Sequence, residues 1–286
     1  MILNEGHSSQ YLKDYHDKKI EMGLGIGNDL DNFLRWKRGQ LNICLGHDNV
    51  GKTYFMEWYF LALATIHNLK FCLFMDENHQ GKVMRDLIQM YTGKPFKDLT
   101  YREIKRAEVI VEQWFKFIDN KQRYTPNQLL EIFWGAECDN LLIDPFNALD
   151  TPFNYTENYR VLNELKLFTK QENKTIIINA HPSSASGRRG AVYPKDHYYG
   201  GHVMPPLKSD IEGGKPFSNK CDDFIVCHRL TSHPSLWSHT MIDVVKIKDT
   251  DTGGKCTFID QPVSLDYNFG LGFTCGGIDV INRKLN

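Results

Sequence analysis

No apolar run in this 286-residue chain approaches the roughly 20 residues of a membrane span, so no spanning helix is expected. The opening MILNEGHSSQ lacks the basic start and apolar middle of a secretion signal, which gives a cytoplasmic expectation. No CxxC pair and no His/Cys cluster at zinc spacing is present, so a structural zinc site is not expected. The seven cysteines (Cys44, Cys72, Cys138, Cys221, Cys227, Cys256, Cys275) are dispersed and odd in number, as suits reduced thiols in a cytosol-like compartment. Internal repeats and low-complexity tracts are also missing. Net charge is −1, so no global basic surface exists, and any grip on nucleic acid must come from local loops. The length suits one large domain or two small ones, and a core of that size needs no staple.

What is present is an alternation. Short apolar runs fall at LNICLG (41–46), FCLFMDE (71–77), FKFID (115–119), NLLIDPF (140–146), TIIINAH (175–181), DDFIVCHR (222–229) and MIDVVKIKD (241–249). Several are apolar throughout, the mark of strands covered on both faces in a parallel sheet. Between them lie helical stretches. Lys52–Leu69 follows the first strand. Thr100 and Glu103 form a capping box opening a helix to about Trp114. Thr125-Pro126 places a cap before a first-turn proline. Glu157–Lys170 carries Val161, Leu162, Leu165 and Phe168 at helical spacing. Such alternation implies an α/β layered fold, a mostly parallel sheet flanked by helices. The turn-rich Asp249–Gly254, between KIK and KCTFID, predicts a C-terminal antiparallel hairpin. Residues 1–22 form a polar N-terminal tail or linker with a short helix around Tyr11–Ile20, and 23–286 form the folded domain.

One motif carries most of the chemistry. Gly46-His47-Asp48-Asn49-Val50-Gly51-Lys52-Thr53 matches GxxxxGK[ST] between a predicted strand and a predicted helix, with Tyr54 next. Glycines let backbone amides wrap phosphates, and the helix N-terminus adds its positive dipole. Lys52 is expected to reach the β- and γ-phosphates of ATP and Thr53 to hold Mg²⁺. Asp48 is an odd neighbour for phosphate, so its side chain is expected to face solvent. Asp144, ending NLLID, can hold the same Mg²⁺ through water, although strand-end aspartates are common. Hydrolysis needs a group that orients or deprotonates water. Glu77 at the tip of FCLFMDE is preferred over Asp76, which points to the other face. Both could instead cap the strand end. His181, ending TIIINAH, could sense the γ-phosphate or be an ordinary satisfied polar residue.

The order of these parts resembles the helicase domain of the DnaB family, most closely its Twinkle-like replicative branch, from about Gly23 to Tyr267. The matching pieces are LDNFLRWKRGQLNICLGHDNVGKT, Glu77, NLLIDPFNAL, INAHP, EGGKPFSNKCDDFIVCHR and VVKIKDTDTGG. The resemblance implies a RecA-like ATPase core and a homo-hexameric ring with ATP between neighbours. Lys52, Thr53, Glu77, Asp144 and His181 would act in one subunit. Lys248 falls at the family's arginine-finger position, with Lys246 as companion and Arg229 as a further basic residue, all reaching in trans. Gly213–Lys220 corresponds to a channel loop touching single-stranded DNA, with Lys215, Ser218 and Lys220 as candidates.

Three departures stand out. The finger position holds lysine, which lacks the planar fork of arginine. The loop 183–208 is long. It holds Arg188, Arg189, Lys195 and a cluster of Tyr193, His197, Tyr198, Tyr199 and His202, suited to backbone contact and base stacking or merely a charged surface loop. The chain leaves no room for a primase or collar, so a separate primase is a possible partner and Tyr11–Ile20 could pack on the adjacent subunit. The leading expectation is an ATP-driven replicative helicase motor. A RecA-like recombinase or regulatory ATPase, or a DNA-binding loader with little turnover, would use the same core.

Overall fold

The computed structural model describes residues 2, 5–183 and 191–282. Helix α1 (Ser9–His16) precedes the core, and its strand and helix segments then alternate: β1 (Leu41–Leu45), α2 (Lys52–His67), β2 (Phe71–Met75), α3 (Gln80–Thr92), α4 (Tyr101–Trp114), β3 (Phe115–Phe117), α5 (Pro126–Gly135), β4 (Asn140–Asp144), α6 (Tyr155–Glu172) and β5 (Thr175–Ala180). Strands β6 (Phe224–Arg229), β7 (His239–Lys246), β8 (Val263–Tyr267), β9 (Phe273–Cys275) and β10 (Ile278–Asp279) complete one ten-stranded sheet. Its order is β10-β9-β8-β7-β6-β1-β5-β4-β2-β3. All pairings from β6 to β3 are parallel, and those from β6 to β10 are antiparallel. The fold is the α/β, RecA-like arrangement.

The apolar strands behave as their composition dictates. Every residue of β1, β2, β4 and β5 is buried. One face packs on α2, α3 and α4, the other on α5 and α6. Helix α2 is apolar nearly all round, with Phe55 through Ala64 buried. Its outer side is covered by the C-terminal strands: Trp58 meets Phe273 edge-on at 5.5 Å, and the Gly272 amide donates to the Tyr54 hydroxyl at 2.9 Å. The Thr100–Glu103 and Thr125–Gln128 boxes both form, so α4 and α5 start where their caps put them.

Three expectations need adjusting. The first helix spans Ser9–His16 and not Tyr11–Ile20, because Lys18 turns to φ 57° and ends it. Gln80–Thr92 forms a helix that the alternation did not single out. The hairpin lies further on than predicted. The Asp249 side chain accepts from the Asp251 amide at 3.1 Å and the Thr252 hydroxyl at 2.6 Å, which turns Thr250–Gly253 into one helical turn. The antiparallel partner of β7 is therefore β8, and KCTFID touches β7 only around Thr257 and Val244.

Candidate functional site

Parallel strands deliver their C-terminal ends to one edge, the usual place for a ligand in an open α/β sheet. Here β1 is flanked by β5 and β6, and β4 lies between β5 and β2. Residues at four strand tips consequently border a single cleft of about 430 Å³. It takes in Lys52, Thr53, Glu77, Asp144 and His181. Asp48, Asn49, Gly51 and Tyr54 border it too, while Asp76 does not.

The loop between β1 and α2 is shaped by backbone needs. Asn49 and Gly51 sit at φ 60° and 90°, a region that costs glycine least. A Cβ on Gly46 would stand 2.4 Å from the Cys227 carbonyl, so only glycine lets the loop pass β6. Val50 is buried in the core, and the His47 imidazole faces the Met204 carbonyl, with burial holding its pKa below the ordinary value. The polar groups use one another as partners. Lys52 Nζ donates to the carbonyls of Gly46 and His47, both at 2.8 Å. Thr53 Oγ1 donates to Asp144 Oδ2 at 2.6 Å. Asp48 is 81% exposed, as its surroundings predict, yet its Oδ1 stands 2.7 Å from His181 Nδ1. Behind Glu77, Asn120 Nδ2 donates to the carbonyls of Met75 and Asn78 and holds the strand tip.

These groups fit a triphosphate with Mg²⁺. A lysine bonded only to loop carbonyls can exchange them for phosphate oxygens, and a threonine hydroxyl beside a carboxylate is an oxygen pair for a hard cation. Among the described residues no cluster of three or more His, Cys, Asp or Glu side chains could hold a metal. Phosphate oxygens and water would have to supply the remaining ligands.

The cleft also contains residues that motif reasoning missed. Glu57 is 3% exposed, its Oε2 has no partner, and burial pushes its carboxyl well above the usual range, with Asp86 adding to the rise. Lys82, Asp86 and Asn78 line the same wall. Helical spacing could have found Glu57, since it lies four residues beyond Thr53 on the same face of α2.

The remaining candidates lie elsewhere. Arg229 bonds to the Trp237 carbonyl and stacks over Trp237 and Tyr267 at 5.6 and 5.5 Å. Lys246 Nζ donates to the carbonyls of Ser218 and Cys221 at 2.9 and 2.6 Å. Lys248, exposed, pairs with Asp222 at 2.9 Å, an aspartate shared with Lys166. None of the three lines the cleft of its own chain. Lys215 precedes the short helix Pro216–Lys220, Ser218 Oγ donates to its carbonyl at 3.1 Å, and Lys220 Nζ sits 4.1 Å over the Tyr159 ring. Arg188 and Arg189 lie outside the described residues.

No family model matches the chain. It is 29% identical, over 241 residues, to the Twinkle homolog protein, chloroplastic/mitochondrial, of Arabidopsis thaliana, covering 75% of this chain and 32% of that one. This chain resembles the DnaB- and Twinkle-like replicative helicases. It spans about a third of the length of that curated relative. Among solved structures, an isolated ATPase domain matches with TM-score 0.72 at 13% identity, over 95% of this chain and 99% of that one. A DnaB-like replicative helicase, described with its interactions with primase, matches with TM-score 0.71 at 12% identity, over 96% and 67%. At such identities the structural matches speak for the fold. No helix among the described residues is long and apolar enough to cross a membrane.

Proposed function

We propose that this chain is the ATP-hydrolysing motor of a replicative-type DNA helicase that moves along single-stranded DNA as a homo-hexameric ring. The observation that carries this is the cleft itself: Lys52 held by loop carbonyls, the Thr53–Asp144 pair, and Glu77 and His181 at neighbouring strand tips. In this function Lys52 and the loop amides bind and orient the phosphates. Thr53 and Asp144 hold Mg²⁺, which when bound neutralises phosphate charge. Glu77 orients the attacking water and takes its proton. His181, tethered to Asp48, registers loss of the terminal phosphate. Lys248, Lys246 and Arg229 serve a neighbouring subunit's nucleotide. Lys215, Ser218 and Lys220, with Arg188 and Arg189, contact the strand backbone without regard to sequence. A reducing, cytosol-like compartment goes with this function, and a separate primase is a partner compatible with it.

A second function is kept in view by one observation. Lys246 and Lys248 are both engaged within their own chain, and lysine is a weaker finger than arginine. A DNA-binding ATPase with little turnover would have that character. Steady-state ATPase assays with and without single-stranded DNA, together with strand displacement, separate the two. Strong stimulation with displacement supports the motor. DNA binding with negligible turnover contradicts it.

A further inference from the structure

The nucleotide cleft has a deep wall that the phosphate-binding groups leave unused. Glu57 of α2 and Asp86 of α3 both line it, at 3% and 7% exposure. The two carboxyls are served differently. Asp86 Oδ1 accepts from Arg85 Nε and Nη2 at 2.9 and 2.7 Å. Glu57 Oε2 accepts from nothing, although Lys82 stands on the same wall. A buried acceptor left without a donor is costly, and folded proteins leave few of them.

Where Glu57 sits decides which donor can reach it. It lies four residues beyond Thr53, so the two side chains share a face of α2, one turn apart. Thr53 and Asp144, bonded to each other, are the oxygen pair for the cation. The terminal phosphates that enter here carry acceptor oxygens and offer Glu57 no donor. The donors that enter with them are waters. Among the described residues no cluster of three or more His, Cys, Asp or Glu side chains could hold a metal directly, so water must fill part of its coordination sphere. Mg²⁺ dehydrates reluctantly and usually keeps several waters.

We infer that Glu57 is a positioning residue for the cation, its free carboxyl oxygen accepting a hydrogen bond from a water on the Mg²⁺ held by Thr53 and Asp144. This rests on the ATP site proposed above. Groups that hold a metal's coordinated ligands fix its place nearly as firmly as the ligands themselves. Burial, helped by Asp86, pushes the Glu57 carboxyl above the ordinary range, and a divalent charge one helical turn away favours the ionised form again. Asp86, already engaged by Arg85, is the poorer acceptor.

The test saturates the full chain with ADP and titrates Mn²⁺, an oxygen-preferring stand-in for Mg²⁺ whose free form is read by electron paramagnetic resonance. ADP affinity is measured separately in EDTA. Glu57→Ala is expected to weaken Mn²⁺ binding by about tenfold or more while ADP affinity in EDTA stays as in the unmodified protein. Glu57→Gln, which keeps the shape and one acceptor oxygen, should weaken Mn²⁺ binding less, and it carries the test if the alanine variant does not fold. Unchanged Mn²⁺ affinity overturns the inference even where hydrolysis slows, because that pattern assigns Glu57 to the attacking water. An equal loss of ADP affinity in EDTA assigns it a structural role and overturns the inference as well. Unmodified protein that binds no ADP contradicts the ATP site itself, and the inference falls with it.

Discussion

The phosphate-loop residues and the polar residues of the antiparallel strands use their hydrogen-bonding partners in opposite ways. At the parallel end, Lys52, Thr53 and Asp144 are bonded to the loop or to each other. At the antiparallel end, His228 is buried and Asp243 partly buried, with few or poor partners. Self-satisfied groups can trade partners with an incoming anion at little net cost, which suits a site that must bind and release on every cycle. Underused groups gain more from an incoming partner. The same α2 packing supports one half and, through Trp58 and Phe273, touches the other.

The sharpest way to break this contrast is at the parallel end. Lys52→Ala should remove nucleotide binding and lower turnover by at least about 10³-fold, measured by fluorescent-ATP titration and phosphate release. Normal turnover in that variant places the phosphates elsewhere. Glu77→Gln should keep ATP binding while slowing hydrolysis by roughly 10²–10³-fold in single-turnover assays. An unchanged rate would move the base to another residue, with Glu57 the next to examine.

The antiparallel end has a signature in pH. Burial pushes His228 down to about 4 from an ordinary 6.5, so its contribution to stability is present above pH 6.5 and is lost as pH falls toward 4. Asp243 is pushed up to about 6 from 3.8 by burial, so the folded state takes up a proton across that interval and offsets the loss. Asp243→Asn removes the offset. Denaturant midpoints between pH 7 and pH 5 should fall more steeply in the variant, by about 1 kcal/mol. Parallel pH curves would show that the two groups are not buried as described. The smallest effect is a control outside both regions. Thr100→Ala should cost about 1 kcal/mol through loss of the capping box, with the nucleotide cleft still binding as before.

What could be foreseen from the residues divides along the same line. The turn between β1 and α2 and its supporting strands were legible because each rests on local chemistry: a glycine-bearing turn, all-apolar strands, reciprocal caps. Glu57 was open to helical spacing from Thr53 along α2, whereas Asp86 escaped notice because only the packing of α3 on α2 brings it to the cleft. The hairpin slipped because Asp249 and Thr252 satisfy each other locally and favour a helical turn over a tight reversal. Tyr193, His197 and Tyr199 look in sequence like free stacking rings, but they are largely packed on one another, and Tyr193 is 7% exposed. Nothing in the spacing announces that His228 and Asp243 share a face, since that follows from the register of β6 against β7.

The most direct test of the motor function is a structure of the full chain with a non-hydrolysable ATP analogue and Mg²⁺. Lys52 Nζ should leave the Gly46 and His47 carbonyls for phosphate oxygens, and the Thr53 hydroxyl should turn from Asp144 to the cation. A nucleotide bound elsewhere, with both contacts intact, would contradict it.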